Sequence, residues 1–221
     1  MTMTLTQLTS HVRVEIGEAT AGFWTDPQLY EYISRAAQDF STDTGIIVAP
    51  PVKTSSVADS GAYSLPASCP GPHAIIRVFY DDEKIEPSTV DALIRNGNRP
   101  DDDSGTPTHW YPMSYEGTSY LGLCPIPDSA VTNGIIIYYW KIADRMTGPT
   151  DVCDVPDEYY RAIVYRATMF SFGNQGEKSK MEYYQRLYDE EVLRAQDYVN
   201  VQIAATLHDR DVNSGDYRKF F

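Results

Sequence analysis

Four histidines and three cysteines are the residues most suited to metal or nucleophilic chemistry, and their spacing argues against both. His11, His73, His109 and His208 stand far apart, without the short separation that lets two imidazoles share a metal. Cys69, Cys124 and Cys153 are odd in number and form no Cys-x-x-Cys, so neither a disulfide framework nor a zinc site is expected and the thiols read as inert. The run Asp101-Asp102-Asp103-Ser104-Gly105 opens like a calcium loop. It lacks the glycine at the sixth position and the bidentate glutamate at the twelfth, which leaves a solvated charge run. Asp81-Asp82-Glu83 reads as a polar turn after a strand. Asp81 and Glu83 would matter chemically only if they faced each other across a glycan, as in a hydrolase. No Gly-x-Ser-x-Gly, P-loop, Gly-x-Gly-x-x-Gly or His-Glu-x-x-His motif occurs. The expectation is a protein that is not an enzyme, with no catalytic, metal-binding or cofactor-binding residues.

Charge narrows the partners. With 31 acidic against 18 basic residues the net charge is −13, which opposes binding that works by neutralising phosphates. An acidic surface could still face DNA by repelling it, as the wall of a channel through which DNA slides. Tyrosine occurs 17 times, and a broad apolar ring with one polar tip suits a surface half buried against a neighbour as well as the edge of the chain's own core. Tyr159, Tyr183, Tyr184 and Tyr188 are the candidate subunit-interface residues. No apolar run approaches the roughly 20 residues that span a bilayer, and residues 1–10 carry neither the basic nor the apolar region of a signal peptide. The chain is therefore expected in the cytoplasm, away from membranes, unless it leaves inside a particle.

The elements that must position these residues are legible from capping and periodicity. Thr4 with Gln7 forms a capping box, Met3 and Leu8 a hydrophobic staple, and Leu5, Leu8, Val12 and Ile16 recur at helical spacing up to Gly17. Thr25 with Gln28, Trp24 with Leu29, and Pro27 in the first turn open a second helix that frays near residues 42–45. From residue 46 to about 150 the texture changes to short β-branched and aromatic runs broken by Pro, Gly, Asn and Asp. That pattern predicts strands at 74–80 and 135–141, weaker ones at 52–57, 109–115 and 119–124, and an exposed loop at 96–107. Helical spacing returns with Asp154 placed to cap, Pro156 in the first turn and Gly173 as terminator. Asn174 and Glu177 then open a fourth helix that ends near Asp197. The expected organisation is helices in 1–45 and 151–197, a β-rich lobe in 46–150 and a C-terminal tail in 198–221. The fold class is α+β, mainly α: an antiparallel helical bundle from the N- and C-terminal helices, with a small inserted β-rich lobe and an extended tail.

The phrase Leu5-Thr6, Arg13, Ile16-Gly17, followed by Phe23-Trp24-Thr25-Asp26, Leu29, Tyr32-Ile33 and Ala36, resembles the opening of tailed-phage head-to-tail adaptor proteins of the podovirus and gene-transfer-agent kind. Tyr63-Ser64-Leu65-Pro66, residues 75–80, Gly105-Thr106-Pro107-Thr108 with Trp110-Tyr111, and Leu123-Cys124-Pro125-Ile126-Pro127-Asp128 resemble that family's middle in order. Val155-Pro156-Asp157-Glu158-Tyr159 with Ala162-Ile163 resembles its third-helix start. The resemblance implies a virion protein that forms a dodecameric ring between the portal protein and the tail or nozzle proteins, made in the host cytoplasm during assembly. DNA would pass through its channel without specific binding. Its C-terminal tail would grip the portal, which makes Tyr217, Arg218, Lys219, Phe220 and Phe221 the candidate portal-binding residues. A tail-completion or tube-terminating protein and a carbohydrate-binding module are the alternatives.

Overall fold

The computed structural model describes residues 3–18 and 20–213, with side chains described up to Val201. In chain order the elements are helices α1 (Leu5–Ile16) and α2 (Asp26–Thr44), strands β1 (Val52–Thr54), β2 (Ala62–Ser64), β3 (Ile75–Tyr80) and β4 (Glu83–Pro87), and helix α3 (Val90–Arg95). Strands β5 (Ser104–Gly105), β6 (His109–Tyr115), β7 (Thr118–Cys124), β8 (Ile126–Pro127) and β9 (Ile135–Tyr139) follow, then helices α4 (Tyr160–Gln175) and α5 (Lys178–Asn213). They divide into two compact units. One holds the residues up to Ile47 and those from Ala143 onward, and the other is Val48–Ile142.

In the helical unit the capping signals act as their chemistry requires. Gln7 Oε1 accepts from Thr4 N–H at 2.9 Å, and Thr4 Oγ1 accepts from Gln7 N–H at 3.4 Å. Gly17 ends α1 at φ 76°, in the left-handed region that glycine enters without a Cβ clash. Two remaining first-turn donors of α1 are satisfied from far along the chain: Leu5 N–H reaches Asp151 O and Thr6 N–H reaches Pro149 O. On α2, the buried Ser34 and Ser41 place polar oxygens inside the unit because the returning chain needs them. Their hydroxyls accept from Met146 N–H at 3.0 Å and Ala143 N–H at 2.9 Å. The apolar core is built from Leu5, Leu8, Leu29, Ile33, Phe40, Ile163 and Tyr188 with their neighbours.

The third helix differs from its expected form. Asp154 accepts from Asp144 N–H at 2.9 Å, and the helical run begins with a 3-10 turn at Asp157–Tyr159 before α4. Gly173 lies inside α4, and the terminating left-handed residue is Gly176 at φ 77°. Asn174 therefore belongs to α4 and opens nothing. The last helix does not stop near Asp197 but continues to Asn213. Val199, Ile203 and Leu207 follow Ala195 at steps of four, a helical spacing that the sequence reading passed over.

The second unit overturns the expected fold class. Seven strands form one sheet in the order β1-β9-β3-β4-β6-β7-β2, and β5 pairs with β8 beside them. The protein is α+β with a full sheet, and neither "mainly α" nor a helical bundle carrying a small lobe describes it. The signal was weak because the completing strands are short or polar. Ala62–Ser64 has three residues, and Glu83-Lys84-Ile85-Glu86-Pro87 alternates charges around one buried isoleucine. All pairs in the large sheet are antiparallel except β4 with β6, which are parallel and joined by the crossover that carries α3. Both edge strands, β1 and β2, are three residues long, which leaves little edge for stray pairing. Val78, Tyr80, Ile85, Leu121, Leu123, Ile135 and Ile137 fill the core on one face.

Candidate assembly surfaces

The residues first singled out for chemistry remain apart or solvated. His11 is exposed on α1 with its ring 5.1 Å from that of Tyr160, His73 meets Trp140 at 5.5 Å, and His109 Nδ1 lies 2.9 Å from Thr108 Oγ1. His208 lies among residues whose side chains are not described. Asp81 and Asp82 are the two central residues of the β3–β4 hairpin, with φ of 48° and 65°; positive φ at both is what a two-residue turn of this kind demands. Asp103 accepts from Arg99 N–H at 2.5 Å, and Asp101 and Asp102 are exposed. Cys124 and Cys153 are buried, and burial pushes the Cys153 thiol up to about 11. Among the described residues no three His, Cys, Asp or Glu side chains gather as a metal site would need.

Three of the four tyrosines chosen as interface residues belong to the chain's own core. Tyr159 and Tyr188 pack on Phe40, with centroids at 5.7 and 6.2 Å, and Tyr184 stacks on Phe172 at 5.7 Å. Two of the buried phenols use their hydroxyl: Tyr188 donates to Asp43 Oδ2 at 2.7 Å and Tyr184 to Glu15 Oε2 at 2.9 Å. Desolvation first, and the accepting carboxylate second, push both phenols well above the usual tyrosine range. Tyr183, 50% exposed, is the one that faces outward. Tyr217, Arg218, Lys219, Phe220 and Phe221 lie outside the described residues.

Arginines tie the helices together. Arg13, 7% exposed, donates to Glu18 at 3.1 Å, to Asp26 at 2.6 Å and to Trp24 O at 3.0 Å, clasping the α1–α2 connection. Arg166 on α4 reaches Asp39 of α2 at 2.9 Å and Gln185 of α5 at 2.9 Å, and it lies over the Tyr188 ring at 4.8 Å. Arg194 donates to Glu158 O at 2.9 Å and covers the Tyr159 ring at 5.0 Å.

Two exposed surfaces of the helical unit stand out among the described residues. The first is the outward side of α5. Tyr184, Tyr188 and Ala195 are buried on one side, while Tyr183, Leu193 and Val201 are 50%, 62% and 64% exposed. Their spacing, with Arg186, Glu190 and Asp197 falling between them at steps of three and four, puts all six on the side opposite the core. Glu190 and Asp197 form no ion pair or hydrogen bond among the described residues. The second borders an aromatic row where the entry to α2 meets α4: Phe23, the buried Trp24, Tyr32 and Phe170 succeed one another at centroid distances of 4.9, 5.7 and 6.2 Å. Phe23 is 69% exposed. The exposed guanidinium of Arg35 lies 4.6 Å above the Phe170 ring and has no carboxylate partner among the described residues. The sequence reading missed this row, although Tyr32 and Arg35, three apart on a capped helix, are its visible trace.

The family model described as SU10 adaptor protein matches residues 3–210 of the chain. No curated protein matches it.

Proposed function

The chain belongs to the SU10 adaptor protein family, a family of bacteriophage structural proteins, and on that premise we propose that it assembles as a dodecameric ring beneath the portal, prolongs the DNA channel and presents the surface on which the tail or nozzle proteins dock. The family match over nearly the whole chain carries this reading. The outward side of α5 supports it physically: a helix packed through one side, with Tyr183, Leu193 and Val201 left on the other, suits a subunit that neighbours complete. The role is mechanical and uses no catalytic residue or cofactor. The C-terminal residues, including Tyr217, Phe220 and Phe221, dock on the portal, and the acidic surface keeps passing DNA from sticking.

The deciding measurement is the mass of the purified protein, alone and mixed with portal rings, by native mass spectrometry. Addition of the chain in the portal's own copy number is the expected result. Absence of any association would place the protein elsewhere in the tail.

A further inference from the structure

We infer that the two exposed surfaces of the helical unit are complementary halves of one contact between copies of this chain. The outward side of α5 in one copy lies against the Phe23–Tyr32–Phe170 row of the next, and Arg35 takes the carboxylates of Glu190 and Asp197. The inference rests on the ring assembly proposed above and names the faces that meet in it.

Charge is the first argument. In a chain of net charge −13, Arg35 is an exposed cation with no carboxylate partner among the described residues, and its guanidinium carbon lies 4.6 Å from the centroid of the Phe170 ring. A guanidinium so placed has lost much of its rotamer freedom before any partner arrives, and its fork suits a carboxylate. Glu190 and Asp197 are one heptad apart on α5, about 10 Å along the helix axis, and share its outward side. Apolar matching is the second argument. Leu193 stands between those two carboxylates, as Tyr32 and Phe170 stand beside Arg35, so each face offers apolar side chains next to its charge. Difference is the third. One face carries two carboxylates against the single Arg186 and the other a cation on an aromatic row, so contact between them is head-to-tail, the kind of contact from which rings are built. A self-complementary face would stop at a dimer.

The test compares full-length wild type, Arg35→Glu, Glu190→Arg with Asp197→Arg, and all three changes combined. Each is followed by native mass spectrometry alone and on portal rings, with circular dichroism as the folding control. All three side chains are exposed, so the helical signal should stay constant. Reversal on either face should weaken association between copies about tenfold, and reversal on both should restore most of it. Undiminished association of Arg35→Glu, or a combined variant no better than its parents, would overturn the inference. So would a variant that still joins its own kind but leaves the portal, since the aromatic row would then be a portal contact. Wild type that never associates, on or off the portal, would instead remove the ring reading on which the inference stands.

Discussion

At Arg13 a cation that burial alone would penalise is held by two carboxylates and a backbone carbonyl, and all of these partners lie within the opening phrase of the sequence. Trp24 read as a staple residue, and Arg13 and Asp26 only as part of the resembling phrase, yet the three form one clasp. Truncating the arginine leaves Glu18, itself largely shielded, without its counter-charge. Arg13→Ala should therefore cost about 2–4 kcal/mol, discounted from the value for a fully buried pair because Asp26 is half exposed. Thermal or urea unfolding would check this, and an unchanged midpoint would mean that the clasp is decorative. Raised thiol and phenol values give a second prediction. Cys153, at about 11, and Tyr184 and Tyr188, both raised, stay neutral in the folded chain at pH values where the unfolded chain ionises. Their contribution is fully present below the unfolded values, near 8.5 for the thiol and 10 for the phenols, and is lost as pH rises through the folded ones. Stability should hold to about pH 8.5 and fall above it. Cys153→Ala should flatten the first part of that fall, as denaturant titration at successive pH values would reveal.

Elements differ in how clearly they announce themselves. The first two helices were legible to within a residue or two because side-chain oxygens at fixed offsets must satisfy first-turn N–H groups, and that chemistry is local. The β3 and β9 strands were legible because runs such as Ile135-Ile136-Ile137 have few other uses. By contrast, β2 and β4 owe their form to neighbours across the sheet, while α3 carries a local signal that the sequence reading passed over, Thr89 Oγ1 accepting from Ala92 N–H at 3.2 Å. Gly173 misled because glycine's ability to end a helix is not an obligation, and Gly176 takes that role three residues later. Among the candidate site residues, Tyr183 was visible as an outward tyrosine only once α5 had a packed side, and Arg35 only once Phe170 was beneath it. The hairpin and the central strands each allow a prediction. Asp82 holds φ 65°, which glycine adopts at no steric cost, so Asp82→Gly should stabilise the β unit by about 0.5–1 kcal/mol, read as a rise of about 2–4 °C in its melting. Gly122 lies directly opposite Tyr111, and a Cβ there would fall 2.5 Å from the ring. Gly122→Ala should destabilise the same unit by about 1–3 kcal/mol, and a melting curve that did not move would show that the ring can swing away freely.

The charge of the whole molecule bears on the proposed channel. With 31 acidic side chains against 18 basic ones, phosphates approaching the chain meet net repulsion, and several of the exposed cations that could oppose it already have neighbours. Lys84 is paired with Glu86, Arg145 with Glu31, and Arg35 rests on Phe170. Affinity for duplex DNA grows with the number of phosphates that cations neutralise, and it strengthens as salt is withdrawn. A wall along which DNA is to slide needs the reverse: little affinity at any salt concentration, so that no segment of the duplex is held. Anisotropy of a labelled duplex of mixed sequence, titrated with the full-length chain at about 50 mM salt where non-specific binding is strongest, should therefore show no saturation up to micromolar protein. Binding that appears at low salt and disappears at high salt would mean that a basic face dominates locally despite the net charge, and the channel would then grip DNA where the proposal has it slide.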